Sequence, residues 1–528
     1  MPRNENTWDG IERLRARSTC ALGAWSLVVI VSVSALSARR AIAEGSESPL
    51  ADAAETMDRA NLRALIDAGA DVELPQADGT TALHWAVYHD DPESVRLFIA
   101  AGAGVNARNR YGVMPLALAC TNGSTAIVES LLAAGADANA ELRGGQTVLM
   151  TAARTGVLGP VNALLARGAR VNAKERRGQT ALMWAAADGH AEVVARLIDA
   201  GADFETPLRS GLTPMLFAAR EGRTKVVEVL LRAGVDVNAA IDAEKRAPRG
   251  PENGTSALVL AVENGHFELA KALLEAGADP DDQRSGFTAL HTITWVRKPN
   301  RGDDEDGNPP PIGSGTLSSL DCARELVAHG ADVDARLERG SSARGRLSRK
   351  GATPYFLAAI TADVPLMRLL VELGADPLVP NASGATPLLA AAGVGTVSPG
   401  EDAGTEPEVL EAVRLALALG CGIDAVDQNG ETAMHGAAYK NLPEVVELLA
   451  EKGARVEVWN RANKWGWTPL VIAAGYRVGN FKPSPETVAA LRRVMLAAGV
   501  TPPEKIVPPA GKDGWGDGSV GASGRARR

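Results

Sequence analysis

Gly79, Gly112, Gly145, Gly178 and Gly211 follow one another at intervals of 33 residues. The register continues at Gly254, Gly286, Gly351, Gly384, Gly430 and Gly466, with steps of 43, 32, 65, 33, 46 and 36, and backwards it reaches Ser46. A second marker keeps phase, 23 residues after the opening position in the regular units: GADVE at 69–73, GAGVN at 102–106, GADAN at 135–139, GARVN at 168–172 and GADFE at 201–205. A fixed period of this length means one small structural unit repeated and stacked, not one large globule. Twelve units, from about 46 to 500, account for most of the 528 residues.

Each unit reads as two short antiparallel helices. In the unit opened by Gly178, Thr180 has the hydroxyl that caps a helix start, where the first N–H groups lack partners. Sister units place Pro214, Pro354, Pro387 and Pro469 just after that position, where a missing N–H costs nothing. Leu182, Ala185 and Ala186 make an inner face, Gly189 breaks the chain, and Val194, Leu197 and Ile198 mark a second helix at i, i+3, i+4 spacing, closed by Gly201. Neither helix carries enough apolar surface to stand alone, so stability has to come from neighbouring units. Aromatics at 4% and 55 glycines suit helices packed closely many times over.

The helix starts read TALHWAV (81–87), TPMLFAA (213–219), TPYFLAA (353–359), TPLLAAA (386–392), TAMHGAA (432–438) and TPLVIAA (468–474), with Gly189-His190 and Gly265-His266 at the mid-unit turn. On these motifs the chain resembles the ankyrin repeat family over nearly all of residues 44–500. The resemblance implies an all-α solenoid of about twelve helix–turn–helix units with projecting loop or β-hairpin fingers. It also implies a macromolecule-binding scaffold that works through the concave face of fingers and inner helices. The N-terminus suggests an exported, bacterial-type member. The first unit, SPLADAA (48–54), departs from the motif, and insertions fall at 240–253, 297–316, 336–350, 394–407 and 477–485. Those at 240–253 and 336–350 lengthen fingers; the other three part the two helices of a unit on the edge away from the fingers.

The residues that tempt a catalytic reading are held by this register. His84, His291 and His435 occupy the Leu-His position, where the family uses histidine to bond neighbouring backbone, and His190 and His266 occupy the turn. His89 and His329 are off-pattern but have no partner nearby in sequence. Trp85, Trp184 and Phe217 share the register of Leu118, Leu260 and Leu357, which favours packing over a ligand stripe. Cys120, Cys322 and Cys421 lie too many units apart for a disulfide and read as buried thiols. GDDEDGN (302–308) lacks the spacing of a calcium loop. No Ser-His-Asp set, phosphate loop or nucleophile elbow is present, so we expect no enzyme, no metal and no cofactor.

Arg13, Arg15 and Arg17 precede 18 uncharged residues at 21–38, followed by Ala41-Ile42-Ala43. Residues 1–43 thus read as a cleaved export signal, with an uncleaved membrane anchor as the rival, and either places the repeats outside the cytoplasm, periplasmic or secreted. Residues 44–528 carry 49 Lys+Arg against 61 Asp+Glu, a poor balance for neutralising phosphates, so nucleic acid is excluded as a partner. From Thr501 the chain reads as a disordered tail.

The candidate partner-binding residues are carried over by register from the family's finger tips and first-helix ends, except Lys174, Arg344 and Arg346, which are taken from basic stretches of the fingers. In the earlier units they are Tyr88, His89, Arg110, Tyr111, Arg143, Arg154, Lys174, Arg176, Arg177, Arg209 and Arg220. In the later ones they are Arg284, Trp295, Arg344, Arg346, Arg349, Lys350, Tyr439, Lys440, Trp465, Trp467 and Tyr476. Two stretches are basic, RVNAKERR (170–177) and RLERGSSARGRLSRK (336–350), and suit an acidic protein or an anionic glycan. VWNRANKWGW (458–467) gathers Trp459, Trp465 and Trp467, either a stacking platform for a sugar or peptide or a lid on the last units. A protein partner is the leading expectation, a glycan or cell-wall polymer the alternative, and a membrane-anchored scaffold the second alternative.

Overall fold

The computed structural model describes residues 48–243, 252–298, 311–340, 346–397, 399–400, 402–477 and 483–507. The expected signal or anchor at 1–43, Arg344 and the tail beyond 507 lie outside these residues. The described residues form 25 helices and no strand. The expected loop or hairpin fingers are turns, with isolated bridges at Glu141 to Thr147 and Ala240 to Ser256.

The chain divides into two compact bodies, residues 1–176 and 177–528. The first holds four helix pairs, Pro49–Glu55 with Arg59–Asp67, Ala82–Tyr88 with Pro92–Ala100, Pro115–Asn122 with Thr125–Ala133, and Val148–Thr155 with Leu158–Ala166. The second begins with Ala181–Asp188 and Ala191–Asp199, then Pro214–Arg220 with Thr224–Arg232, Ala257–Glu263 with Phe267–Glu275, and Ala289–Arg297 with Ser319–Ala328. It continues with Pro354–Ile360 and Val364–Glu372, Pro387–Ala391 and Glu406–Ala418, and Pro443–Glu451 behind Ala433–Lys440. A single turn, Val456–Trp459, precedes the closing pair Pro469–Ala473 and Pro485–Ala497.

Local chemistry starts and stops these helices. The hydroxyls of Thr81, Thr147, Thr180, Thr213, Thr353 and Thr468 each accept the third N–H of the helix that follows. Gly189, at φ 91, ends Ala181–Asp188 in the left-handed conformation that a side chain resists. The first helices are enclosed almost all round, with Leu182, Ala185 and Ala186 fully buried. The second helices bury one stripe; in Ala191–Asp199 it is Val193, Val194 and Leu197, while Ile198, expected on that stripe, is half-exposed. Burial of each such side chain stabilises by about 1.5–3 kcal/mol, and the surface that buries it belongs to the adjoining pair.

The second marker has a physical reason of its own. In six copies its last residue is an Asn or Asp that accepts the backbone N–H of the third marker residue one unit on. In the first body Asn106 Oδ1 takes Asp137 N–H at 3.0 Å and Asn139 Oδ1 takes Arg170 N–H at 2.8 Å. In the second body Asn238 takes Asp279 N–H at 2.8 Å, Asp281 takes Asp332 at 2.8 Å, Asp334 takes Asp376 at 3.1 Å and Asp424 takes Arg455 at 2.9 Å. Asn106 and Asn139 also donate their amides to the carbonyls of Gly135 and Gly168, at 3.1 and 3.2 Å.

Several finger tips are joined likewise, each by one backbone bond. Arg110 N–H donates to Asp78 O at 2.7 Å and Arg176 N–H to Gly144 O at 3.0 Å. Ala382, Gln428 and Lys464 donate to Lys350, Ser383 and Asn429 at 2.9, 2.9 and 2.8 Å.

Asn139→Ala removes one such joint. The Arg170 amide is expected to exchange with solvent roughly fivefold faster, the equivalent of one net hydrogen bond. Hydrogen exchange read at that amide checks it, and unchanged protection contradicts the assignment.

Candidate functional site

The three motif histidines are joints. Nδ1 of His84, His291 and His435 accepts the backbone N–H of Thr81, Thr288 and Thr432 at 3.2, 3.2 and 3.3 Å. The proton therefore stands on Nε2, which donates to the next unit's carbonyl: Val113 at 3.2 Å, Ala352 at 3.3 Å and Arg461 at 3.1 Å. Burial lowers the basicity of all three, to about 4 for His291 and His435. His266 Nε2 donates to Arg220 O at 3.1 Å while its Nδ1 accepts Ser314 N–H at 3.0 Å, tying an insertion to the preceding unit. His89 donates to Glu55 O at 2.9 Å and His329 to Glu325 O at 2.9 Å, and the two belong to different bodies. Cys120, Cys322 and Cys421 are buried, unpaired thiols, and burial pushes the first two up to about 12, far from a reactive thiolate. Among the described residues no three His, Cys, Asp or Glu converge as a metal site.

Several expected contact residues are committed elsewhere. Tyr439, Trp459 and Trp467 are buried, at 0%, 1% and 3% exposure, so none of them faces a partner. Trp459 and Trp467 are buried, so the platform, one of the two readings of 458–467, reduces to half-exposed Trp465, 5.4 Å from Trp467 with Lys464 over its ring. Arg110 and Arg143 are exposed, yet each spends its guanidinium on the preceding finger, at Ala77 O and Arg110 O, both 2.7 Å. Arg284 pairs with Asp282 at 2.6 Å and Arg220 with Glu221 at 2.9 Å. Tyr111, Arg154, Lys174, Arg176, Arg177, Arg209, Lys350 and Tyr476 are exposed on their own fingers and helix ends. Trp85 and Trp184 are half-exposed, and of the three aromatics read as packing only Phe217 is buried.

One cleft does gather expected residues. Trp295, Arg346, Arg349 and Lys440 line a cavity of about 570 Å³ in the second body, together with Gly393–Val397 and Asp402. The insertion at 394–407 was expected on the edge away from the fingers; it instead reaches the finger extension. A Cβ on Gly395, at φ 78, would lie 2.2 Å from Leu347 N, so only glycine permits that approach. Trp295 stands edge-on to Phe287 at 5.2 Å, and Lys440, buried, donates through Nζ to Ala403 O. Behind the wall, buried Arg477 donates to Thr396 O and Tyr439 O, both at 3.0 Å. Arg477, Thr396 and Asp402 escaped the sequence reading because they lie in insertions with no register.

Next to the cleft Glu431 is buried, accepting Tyr439 Oη at 2.7 Å and Asn463 Nδ2 at 3.0 Å, and burial raises its carboxyl to about 7. Asn463 Oδ1 takes the N–H groups of Trp465 and Trp467, which shapes the last finger.

On the second helices, several carboxylates are met by cations. Lys271 meets Glu325 at 2.6 Å, Arg368 meets Glu411 at 3.1 Å and Arg493 meets Glu447 at 2.5 Å. Such exposed pairs contribute about 0–1 kcal/mol each. No described helix is long and apolar enough to cross a membrane.

The family described as "Ankyrin repeats (3 copies)" matches residues 50–141, 89–175, 149–241 and 405–491, and "Ankyrin repeats (many copies)" matches 258–292. The chain is 32% identical over 248 residues to human Ankyrin repeat and SOCS box protein 16, covering 42% of this chain and 47% of that protein. It is 33% identical over 138 residues to mouse B-cell lymphoma 3 protein homolog, 26% of this chain and 24% of that one. With the Arabidopsis thaliana E3 ubiquitin-protein ligase KEG it shares 27% identity over 252 residues, 40% of this chain and 15% of that one. The matched part thus spans less than half of each relative, and these relatives are animal and plant proteins, which gives the expected bacterial type no support. Among solved structures, the human ASB11 ankyrin repeat domain matches 44% of this chain and all of that one, with 27% identity and a TM-score of 0.38.

The depressed histidines make stability depend on pH. A histidine near 4 in the folded chain and 6.5 unfolded contributes stability present above about 6.5 and lost as pH falls through 4; Glu431 acts oppositely, its contribution present at low pH and lost as pH rises through about 7. His291→Asn/His435→Asn is expected to reduce proton uptake on unfolding at pH 5 by about two. Calorimetry across pH 4–7 checks it, and an unchanged pH slope contradicts it.

Proposed function

The chain belongs to the ankyrin repeat family, and from that premise we propose that it is a non-catalytic scaffold that binds a protein partner through its first-helix ends and finger loops. The observation that carries this is the cleft at Trp295, Arg346 and Arg349. Regular 33-residue units stack without insertions, so the extra chain at 336–350 and 394–407 serves something other than the stack. What the two insertions build together is a concavity with a tryptophan and arginines on its wall, the residue types that dominate interface energetics. Its cations suit an acidic segment of the partner.

A glycan reading has less support, since Trp459 and Trp467 are buried and, in the basic stretches, Arg170 pairs with Glu141, Arg339 pairs with Glu252 and Arg336 donates to the carbonyls of Gly351 and Pro380. Work outside the cytoplasm is proposed on residues 21–38 and Ala41-Ile42-Ala43 alone. The membrane-anchored alternative rests on the same apolar run. N-terminal sequencing decides between them: a mature chain starting at Glu44 supports a cleaved signal, and retention of Arg13–Arg17 on a membrane-bound protein overturns it.

The binding test compares the full chain with Trp295→Ala/Arg346→Glu/Arg349→Glu in affinity capture from the organism that makes it. The native protein is expected to retain a specific partner that the variant loses by at least tenfold, with Trp465→Ala unaffected. Equal capture by native and triple-variant protein contradicts the cleft as the contact.

A further inference from the structure

We propose that a second contact point, the cluster of Trp85, Tyr88 and His89 in the first body with Asp52 and Glu55 beside it, takes an arginine side chain of the partner. It rests on the scaffold reading above for the existence of a protein partner, and on different residues in a different body.

Trp85, Tyr88 and His89 leave one end of the helix Ala82–Tyr88 at i, i+3 and i+4, which puts all three rings on one face. Trp85 and His89 stack with centroids 6.0 Å apart and planes at 24°; Tyr88 stands edge-on to both, at 5.5 and 5.2 Å. All three are half-exposed. The same register holds leucines such as Leu118 and Leu357 as well as Trp184 and Phe217, so packing at this position accepts leucine.

The rings are held by a polar chain that ends in carboxylates. Trp85 Nε1 donates to Gln76 Oε1 at 2.8 Å. Gln76 Nε2 then donates to both Asp52 Oδ1 and Glu55 Oε2, at 2.8 Å each. His89 Nε2 donates to the Glu55 backbone carbonyl at 2.9 Å, which fixes the other end of the stack.

Two carboxylates therefore share one neutral amide. The nearby cations are taken by other acids, Arg59 by Asp91 at 3.1 Å and Arg63 by Glu93 at 2.5 Å. Neither Asp52 nor Glu55 enters an ion pair among the described residues. A pair of carboxylates without a cation, linked through Gln76 to the Trp85 ring edge and through the Glu55 backbone to His89, attracts a cation by its charge, and the half-exposed rings add their quadrupole. Of the two basic side chains, the guanidinium suits this geometry, because its plane stacks on a ring while its edge bridges two carboxylates. An anionic ligand is repelled by the same pair, and an aliphatic one leaves it unsatisfied.

The test titrates the purified full chain with fluorescein-labelled Gly-Arg-Gly-Arg-Gly, read by anisotropy at low salt, against the same peptide with citrulline for arginine. Citrulline keeps the shape and removes the charge. The arginine peptide is expected to bind at least tenfold more tightly. Asp52→Asn/Glu55→Gln is expected to weaken it about tenfold, and Trp85→Leu, which installs the residue other units carry, about fivefold. Glu192→Gln/Glu228→Gln, on second helices of the other body, is expected to leave it unchanged.

Equal binding of the two peptides, undiminished binding by the Asp52/Glu55 and Trp85 variants, or equal loss in the Glu192/Glu228 variant each overturns the site. The peptide needs no cellular partner. Its failure therefore removes this contact, whereas failure of affinity capture removes the scaffold itself.

Discussion

Within each of the two bodies, helix pairs are joined by hydrogen bonds that leave the pair. The first helices are five to nine residues long, too short to persist alone in water. Their surfaces are covered by the next pair, and the joint is then fixed by polar groups that the period places in the same spot each time. In three units a neutral histidine reaches one unit ahead to a carbonyl, in six an Asn or Asp side chain caps the next turn, and at several steps a backbone bond ties a finger to its neighbour. Packing supplies most of the energy; these bonds fix the spacing.

Because the same bonds consume side chains that look functional, they also show where function is not. Histidines, a buried tyrosine, two tryptophans and several finger arginines all have structural duties. What remains is concentrated where the period breaks or where a unit departs from the consensus. The insertions at 336–350 and 394–407 meet over Trp295 in the second body. In the first body, Trp85 replaces a leucine and gathers two rings and two carboxylates around it. Both places combine rigid aromatic surface with charge.

The regular part of this arrangement was open to a reader of the sequence. The glycine register, the threonine caps and the Leu-His motif are local signals, each forced by helix-end chemistry, and the helices stand in phase with them. The Asn of GADAN carried a signal too, its recurrence, but its partner one unit away becomes visible only in three dimensions. The insertions could not be read because they follow no period: residues 394–397 reach the finger side through Gly395 and not the far edge. Burial of Trp459 was hidden for a related reason, since its finger coils into the single turn Val456–Trp459 where a projecting loop was expected.

The central claim is that recognition lies on first-helix ends and finger insertions, not on the outer helices. Hydrogen exchange of the full chain with and without its captured partner tests this directly. Slowed exchange is predicted at 346–349 and 393–397, and at 85–89, with the second helices carrying Glu192, Glu228 and Glu444 unchanged. Protection confined to those second helices would contradict it.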